Sequence, residues 1–110
     1  MMGEITEVTE DQLNQLKQDG GLIALMFCAD WCGPCKQQLR FLTQVQNSSE
    51  GQGVAFVKAD IDAEPMLCAA MKVRSLPTVV IFKGNLEMAR LNGLMEAESI
   101  KQVIHVARRT

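Results

Sequence analysis

The stretch from Leu22 to Ala29 is apolar without interruption, and Asp30-Trp31-Cys32-Gly33-Pro34-Cys35-Lys36 follows it at once. A strand with one wet face alternates apolar and polar residues, so an unbroken apolar run reads as a strand covered on both faces. Along the chain such short apolar runs alternate with helical patterns, which suggests α/β organisation. The segment after the run predicts a helix from about Cys32 to about Asn47, because Cys35, Leu39, Leu42 and Val45 recur at helical spacing.

The rest of the chain fits that frame. Ile5 to Val8 reads as a short first strand. Thr9 and Gln12 form a capping box, Val8 and Leu13 a hydrophobic staple, and Gly20-Gly21 ends the helix that turns Leu13 and Leu16 inward. Val54 to Asp60 is a second strand of the buried kind, and a short helix spans Pro65 to Met71. Pro77 to Phe82 is the next strand. Gly84-Asn85 is a hairpin turn whose two residues both tolerate positive φ, and Leu86 to Leu91 returns as an edge strand with poor alternation. A last helix carries Ile100, Val103, Ile104 and Ala107 on one face, with Glu96 and Glu98 near its start and Arg108 and Arg109 near its end. The expected order is βαβαβαββα.

With 110 residues, 47% hydrophobic and 22% charged, the chain has the proportions of one globular domain, expected over residues 1–110. The net charge is −2, without a basic stripe, which argues against a nucleic-acid partner. Met1 to Glu10 carries Glu4, Glu7 and Glu10 and no apolar core of a secretory signal, and no apolar run approaches a membrane span. A cytoplasmic monomer away from membranes is therefore expected. Four cysteines in a reducing compartment point to redox chemistry, metal binding or plain packing.

Two of those cysteines have the spacing that redox chemistry needs. Cys32 falls at the start of a helix, where unpaired backbone N–H groups and the helix dipole favour the thiolate, the nucleophilic form. Cys35, three residues on, shares its face and comes within disulfide reach. Pro34 is tolerated in a first turn, and Gly33 removes bulk beside the attacking sulfur. In the resulting cycle Cys32 attacks a substrate disulfide and Cys35 then attacks the Cys32 sulfur, releasing reduced substrate.

Ala29 to Lys36, with Trp31-Cys32-Gly33-Pro34-Cys35-Lys36 at its heart, resembles the active site of the thioredoxin family. Lys58-Ala59-Asp60-Ile61-Asp62, Arg74-Ser75-Leu76-Pro77-Thr78, Gly84-Asn85 and Gly93 also stand at positions similar to the family's, so the resemblance covers nearly the whole chain. It implies a thioredoxin-like fold: a central mixed sheet of four or five strands flanked by helices on both faces. It further implies a cis Pro77 opposite the dithiol that denies metals coordination space. The Leu76 backbone would pair with an extended substrate, and Trp31, Pro77 and Gly93 would form a flat apolar surface around Cys32. The function implied is protein-disulfide reduction with no cofactor beyond the Cys32–Cys35 couple. Electrons would come from an NADPH-dependent flavoprotein, thioredoxin reductase. Clients would be of the ribonucleotide reductase, peroxiredoxin and methionine sulfoxide reductase classes.

Two residues depart from the family pattern. Met26 stands where the family usually has a buried aspartate that accepts the proton of the resolving cysteine, and a thioether cannot do so. The departure is expected to slow or re-tune resolution without abolishing it. Lys58, which would lie near that aspartate, either pairs with Asp60 on the same strand face or carries its head to water. Cys28 stands where the family usually has tryptophan. It and Cys68 read either as small buried hydrophobes or as extra exchangeable thiols. His105 reads as a surface or boundary residue, Met66, Met71, Met88 and Met95 mainly as core filler, and Glu87 with Arg90 and Lys101 with Arg108 as solvated surface. The competing function classes are an adaptor whose dithiol is secondary and a metal protein using Cys28, Cys32, Cys35 and Cys68.

Overall fold

The computed structural model describes residues 4–110. Five strands form one sheet: β1 (Thr6–Glu7), β2 (Leu22–Cys28), β3 (Val54–Asp60), β4 (Thr78–Lys83) and β5 (Leu86–Asn92), in the order β1-β3-β2-β4-β5. β1 and β2 run parallel to β3, whereas β4 is antiparallel to both β2 and β5. The sheet is therefore mixed. Three α-helices connect strands, α1 (Glu10–Asp19), α2 (Gly33–Gln46) and α3 (Pro65–Ala70), and a fourth, α4 (Ala97–Arg109), follows β5.

The unbroken apolar run behaves as its composition requires. β2 sits in the centre, and successive residues alternate between two cores. Leu22, Ala24 and Met26 face one side with Leu42 and Val45 of α2 and Ile100 and Ile104 of α4. Ile23, Leu25 and Phe27 face the other with Leu13 of α1 and Leu67 of α3. Leu42 and Ile104 are fully buried, each contributing about 1.5–3 kcal/mol of transfer free energy.

The helix signals hold at α1. The Thr9 side chain accepts from the Gln12 N–H at 3.2 Å, the Gln12 side chain accepts from the Thr9 N–H at 2.9 Å, and the Gly20 N–H closes the far end on the Lys17 carbonyl. Leu13 is fully buried and Leu16 half-buried.

The departures are at element ends. β1 is confined to Thr6–Glu7 because only these residues pair with β3, opposite Val57 and Lys58, while Ile5 and Val8 bury their side chains beside it. β4 starts at Thr78 rather than Pro77, since proline has no N–H to give a ladder. β5 runs one residue further than expected, to Asn92; its ends are exposed and only Met88 to Leu91 are half-buried. At the hairpin only Gly84 takes a positive φ, +59°; Asn85 does not. α3 ends at Ala70 with Met71 as its cap, and on α4 Val103 is half-buried beside the buried Ile100, Ile104 and Ala107.

Candidate active site

The end of β2 delivers the chain to α2, and the two cysteines sit at that junction. Cys32 is the N-cap residue, with extended backbone (φ −87°, ψ 106°), and Cys35 lies in the first turn. Their Cα atoms are 5.4 Å apart and their sulfurs are joined in a disulfide. The Cys35 N–H bonds the Cys32 carbonyl at 3.3 Å, closing the turn that holds the pair. Pro34 occupies the first turn, where its missing N–H costs no helix bond. Gly33 is exposed, and outside its chain neighbours and the backbone of its own helix no atom lies within 4 Å of where a Cβ would stand.

A groove of about 510 Å³ opens beside Cys32, lined by Trp31, Gly33, Pro34, Ile61, Ser75 and Leu76 among others. Trp31 is 67% exposed, and its indole N–H donates to Asp62 Oδ2 at 3.1 Å, so the ring is held sideways at the groove's edge. Leu76 leads into Pro77 through a cis peptide bond, the isomer the family resemblance implies. Pro77 itself is buried and, with Gly93, lies outside the groove lining. The two are linked behind it: the Gly93 N–H donates to the Pro77 carbonyl at 2.8 Å, and Gly93 holds φ +84°, a conformation that favours glycine.

A second, smaller cleft of about 120 Å³ lies behind the dithiol. Its lining brings together Met26, Cys28, Cys35, Lys36, Leu39 and Lys58. Met26 is fully buried there, with no side-chain group able to take a proton. Lys58 is half-buried and, among the described residues, makes no ion pair within 4.0 Å. Asp60 does not serve it as a partner: the Asp60 carboxylate accepts from the Asp62 N–H at 2.7 Å.

Cys28 and Cys68 remain thiols. The Cys28 sulfur donates weakly to the Ala59 carbonyl at 3.8 Å. Burial pushes its pKa up to about 11, against the downward pull of the Lys58 ammonium. Cys68 is also raised, first by burial and then by Asp60 and Glu64. A thiol held in its neutral form is a poor nucleophile at neutral pH. Among the described residues no group of three or more His, Cys, Asp or Glu side chains is placed to hold a metal ion.

Sequence reasoning passed over Gln38. It lies one turn beyond Cys35 and is fully buried. Its amide clasps one loop residue from both sides: Nε2 donates to the Met95 carbonyl at 2.9 Å and Oε1 accepts from the Met95 N–H at 2.8 Å. A legible signal existed, since position 38 falls on the stripe of Cys35, Leu42 and Val45. Elsewhere, Glu87 and Arg90 form a partly exposed ion pair at 2.8 Å, Lys101 lies 3.8 Å from Glu98, Arg108 is exposed, and His105 is exposed beside Glu50.

Comparison with known proteins agrees with this geometry. Residues 4–106 match the family model Thioredoxin. Thioredoxin of Mycoplasma pneumoniae is 35% identical over 101 residues, 91% of this chain and 97% of that protein. Thioredoxin C-3 of Corynebacterium nephridii is 34% identical over 100 residues, 90% of this chain and 68% of that protein. Among solved structures, chloroplastic thioredoxin z superposes with a TM-score of 0.83 at 27% identity, covering 100% of this chain and 99% of that one. Malassezia sympodialis thioredoxin gives 0.84 at 25% identity, covering 94% and 90%.

Proposed function

Because the chain belongs to the thioredoxin family and is a thiol–disulfide oxidoreductase, we propose that it works as a general protein-disulfide reductant, with Cys32 attacking and Cys35 resolving. One observation carries this reading: of two buried cysteines joined in a disulfide, Cys32 at the mouth of α2 lines the open groove, whereas Cys35, three residues further in, does not. Backbone N–H groups at the helix start favour the thiolate at Cys32. That thiolate attacks one sulfur of a client disulfide, forms a mixed disulfide and expels the other sulfur as a thiolate. Cys35 then attacks the Cys32 sulfur, the client leaves with both sulfurs reduced, and the Cys32–Cys35 disulfide remains. The second step is intramolecular and correspondingly fast.

Trp31 and Leu76 are the residues that receive the client. The Leu76 backbone pairs with an extended segment, Trp31 covers one flank, and Pro77 with Gly93 supports the loop that presents Leu76. Gly33 and Pro34 keep the approach to Cys32 open, and Lys36, Lys58 and Met26 set the environment behind Cys35. Electrons come from an NADPH-dependent flavoprotein reductase. Clients are disulfide-forming enzymes of the ribonucleotide reductase, peroxiredoxin and methionine sulfoxide reductase classes, and the working compartment is the cytoplasm, where a reductant of this kind is needed. No helix of the described residues is long and apolar enough to cross a membrane.

The test is NADPH oxidation coupled through thioredoxin reductase to reduction of insulin disulfides. Wild type should turn over and Cys32→Ser should not. Activity persisting in Cys32→Ser, or wild type that fails to cycle, overturns the reading.

A further inference from the structure

The groove beside Cys32 does not end at Leu76. Its lining includes Arg74 and Ser75, and the same two residues line an adjoining groove of about 500 Å³ on the far side. Arg74 and Ser75 thus form the shared border of the two grooves. The grooves differ in polarity. The second is bordered by Lys72, Arg74, Glu87 and Arg90. Arg90 is already neutralised, since Nε and Nη2 each meet a Glu87 oxygen at 2.8 Å while Nη1 donates to the Met71 carbonyl at 2.7 Å. Lys72 and Arg74 are exposed and, among the described residues, have no acidic partner within 4.0 Å. Trp31 lines the first groove but not the second, and its indole N–H is bonded to the Asp62 carboxylate. A segment lying across Cys32 thus has one carboxylate beside Trp31 and unpaired cations past Ser75.

We infer that this track selects client segments carrying an acidic side chain on the side of their disulfide that extends past Ser75, with Lys72 and Arg74 as the specificity-determining residues. The inference rests on the oxidoreductase reading above and adds to it a substrate class. Unpaired exposed cations beside a groove steer and orient an oppositely charged segment, and like charges placed there are rejected. The acidic Trp31 end penalises the reversed placement, so the preference is one-sided.

The experiment uses the reduced full chain and four otherwise identical short peptides, each a mixed disulfide of one cysteine with 2-mercaptoethanol. The peptides carry a single Glu or Lys two residues before or two residues after that cysteine. Each reduction yields two thiols and converts Cys32 and Cys35 to the disulfide, so the rate is read on the protein itself. On one side only, the Glu peptide should react about tenfold faster than its Lys counterpart at low ionic strength, the effect of two partly screened charge pairs. That ratio should fall towards one in 0.5 M NaCl and invert in the double variant Lys72→Glu/Arg74→Glu. A ratio near one on both sides, or a preference unchanged in the double variant, overturns the inference while leaving the reductant reading intact. Failure of all four peptides to react removes both.

Discussion

Met26 of β2 lies directly opposite Lys58 of β3 in the parallel register, and both side chains line the cleft behind Cys35. A thioether and an ammonium thus occupy the space where the family's usual pattern places a buried carboxylate. Met26 offers the resolving thiol no proton acceptor and Lys58 no acidic partner.

Met26→Asp restores the acceptor at a cost to the fold. Met26 is 1% exposed, so the new carboxyl would be desolvated, with Lys58 as its only in-register ionic neighbour. The destabilisation at neutral pH should be about 3 kcal/mol, the scale of an imperfectly paired buried charge. Burial raises the folded-state pKa above the unfolded value, so the loss should shrink as pH falls towards 4 and the carboxyl protonates in both states. Urea unfolding at pH 7 and pH 4 checks the sign. In single-turnover kinetics, mixed-disulfide resolution should quicken about tenfold or more near neutral pH, as for a positioned general base.

Cys28 offers a second pH signature. Its thiol is pushed from an ordinary value of 9.0 up to about 11, chiefly by burial. A folded-state pKa above the unfolded one means the protein favours the neutral thiol. That stabilisation is complete below pH 9 and is lost as pH climbs towards 11. Cys28→Ala should therefore flatten the decline of stability between those values. In the reduced protein at pH 8, iodoacetamide followed by peptide mapping should mark Cys32 first and leave Cys28 and Cys68 unmodified.

These contrasts show what the chain's order of residues could reveal. β2 was legible because nothing polar interrupts Leu22 to Ala29, and the dithiol because its two cysteines are local to one helix turn. β5 was hard to read because an edge strand with partial burial on both faces has no alternation to display. The clasp of Gln38 on Met95 spans a sequence separation of 57, and the cation track joins Lys72 and Arg74 to Arg90 across β4. The helical stripe marks position 38 as inward-facing, but its partner depends on where the sheet sends its loops, which no local pattern encodes.

The Glu87–Arg90 pair predicts a modest acid sensitivity. The Arg90 hydrogen bonds hold the Glu87 carboxyl below its usual range, opposed in part by burial. A depressed folded-state pKa contributes stability above the unfolded value and loses it as pH falls through the folded one. Because Glu87 is 38% exposed, screening limits the effect to about 0.5 kcal/mol. Glu87→Gln should lower the urea midpoint slightly at pH 7, with the difference vanishing at pH 3 and diminishing in 1 M NaCl.

Gln38→Leu separates a structural clasp from simple core filling. Leucine is close in volume and suits a helix interior, so packing in α2 should survive. The Met95 N–H and carbonyl would both lose their partner, leaving a buried donor and acceptor unpaired at a cost of about 1–3 kcal/mol for each group that water cannot reach. Equilibrium unfolding should therefore show a loss of about 2–4 kcal/mol. The same two bonds tie the 93–96 loop to α2 one turn beyond Cys35, and Gly93 in that loop bonds the carbonyl of Pro77. Loosening the loop should disturb the presentation of Leu76 without touching the cysteines. The KM for a protein disulfide should rise several-fold while the rate with a small disulfide such as 2-hydroxyethyl disulfide stays near wild type. Equal losses on both substrates would instead place the effect of Gln38 on the dithiol itself.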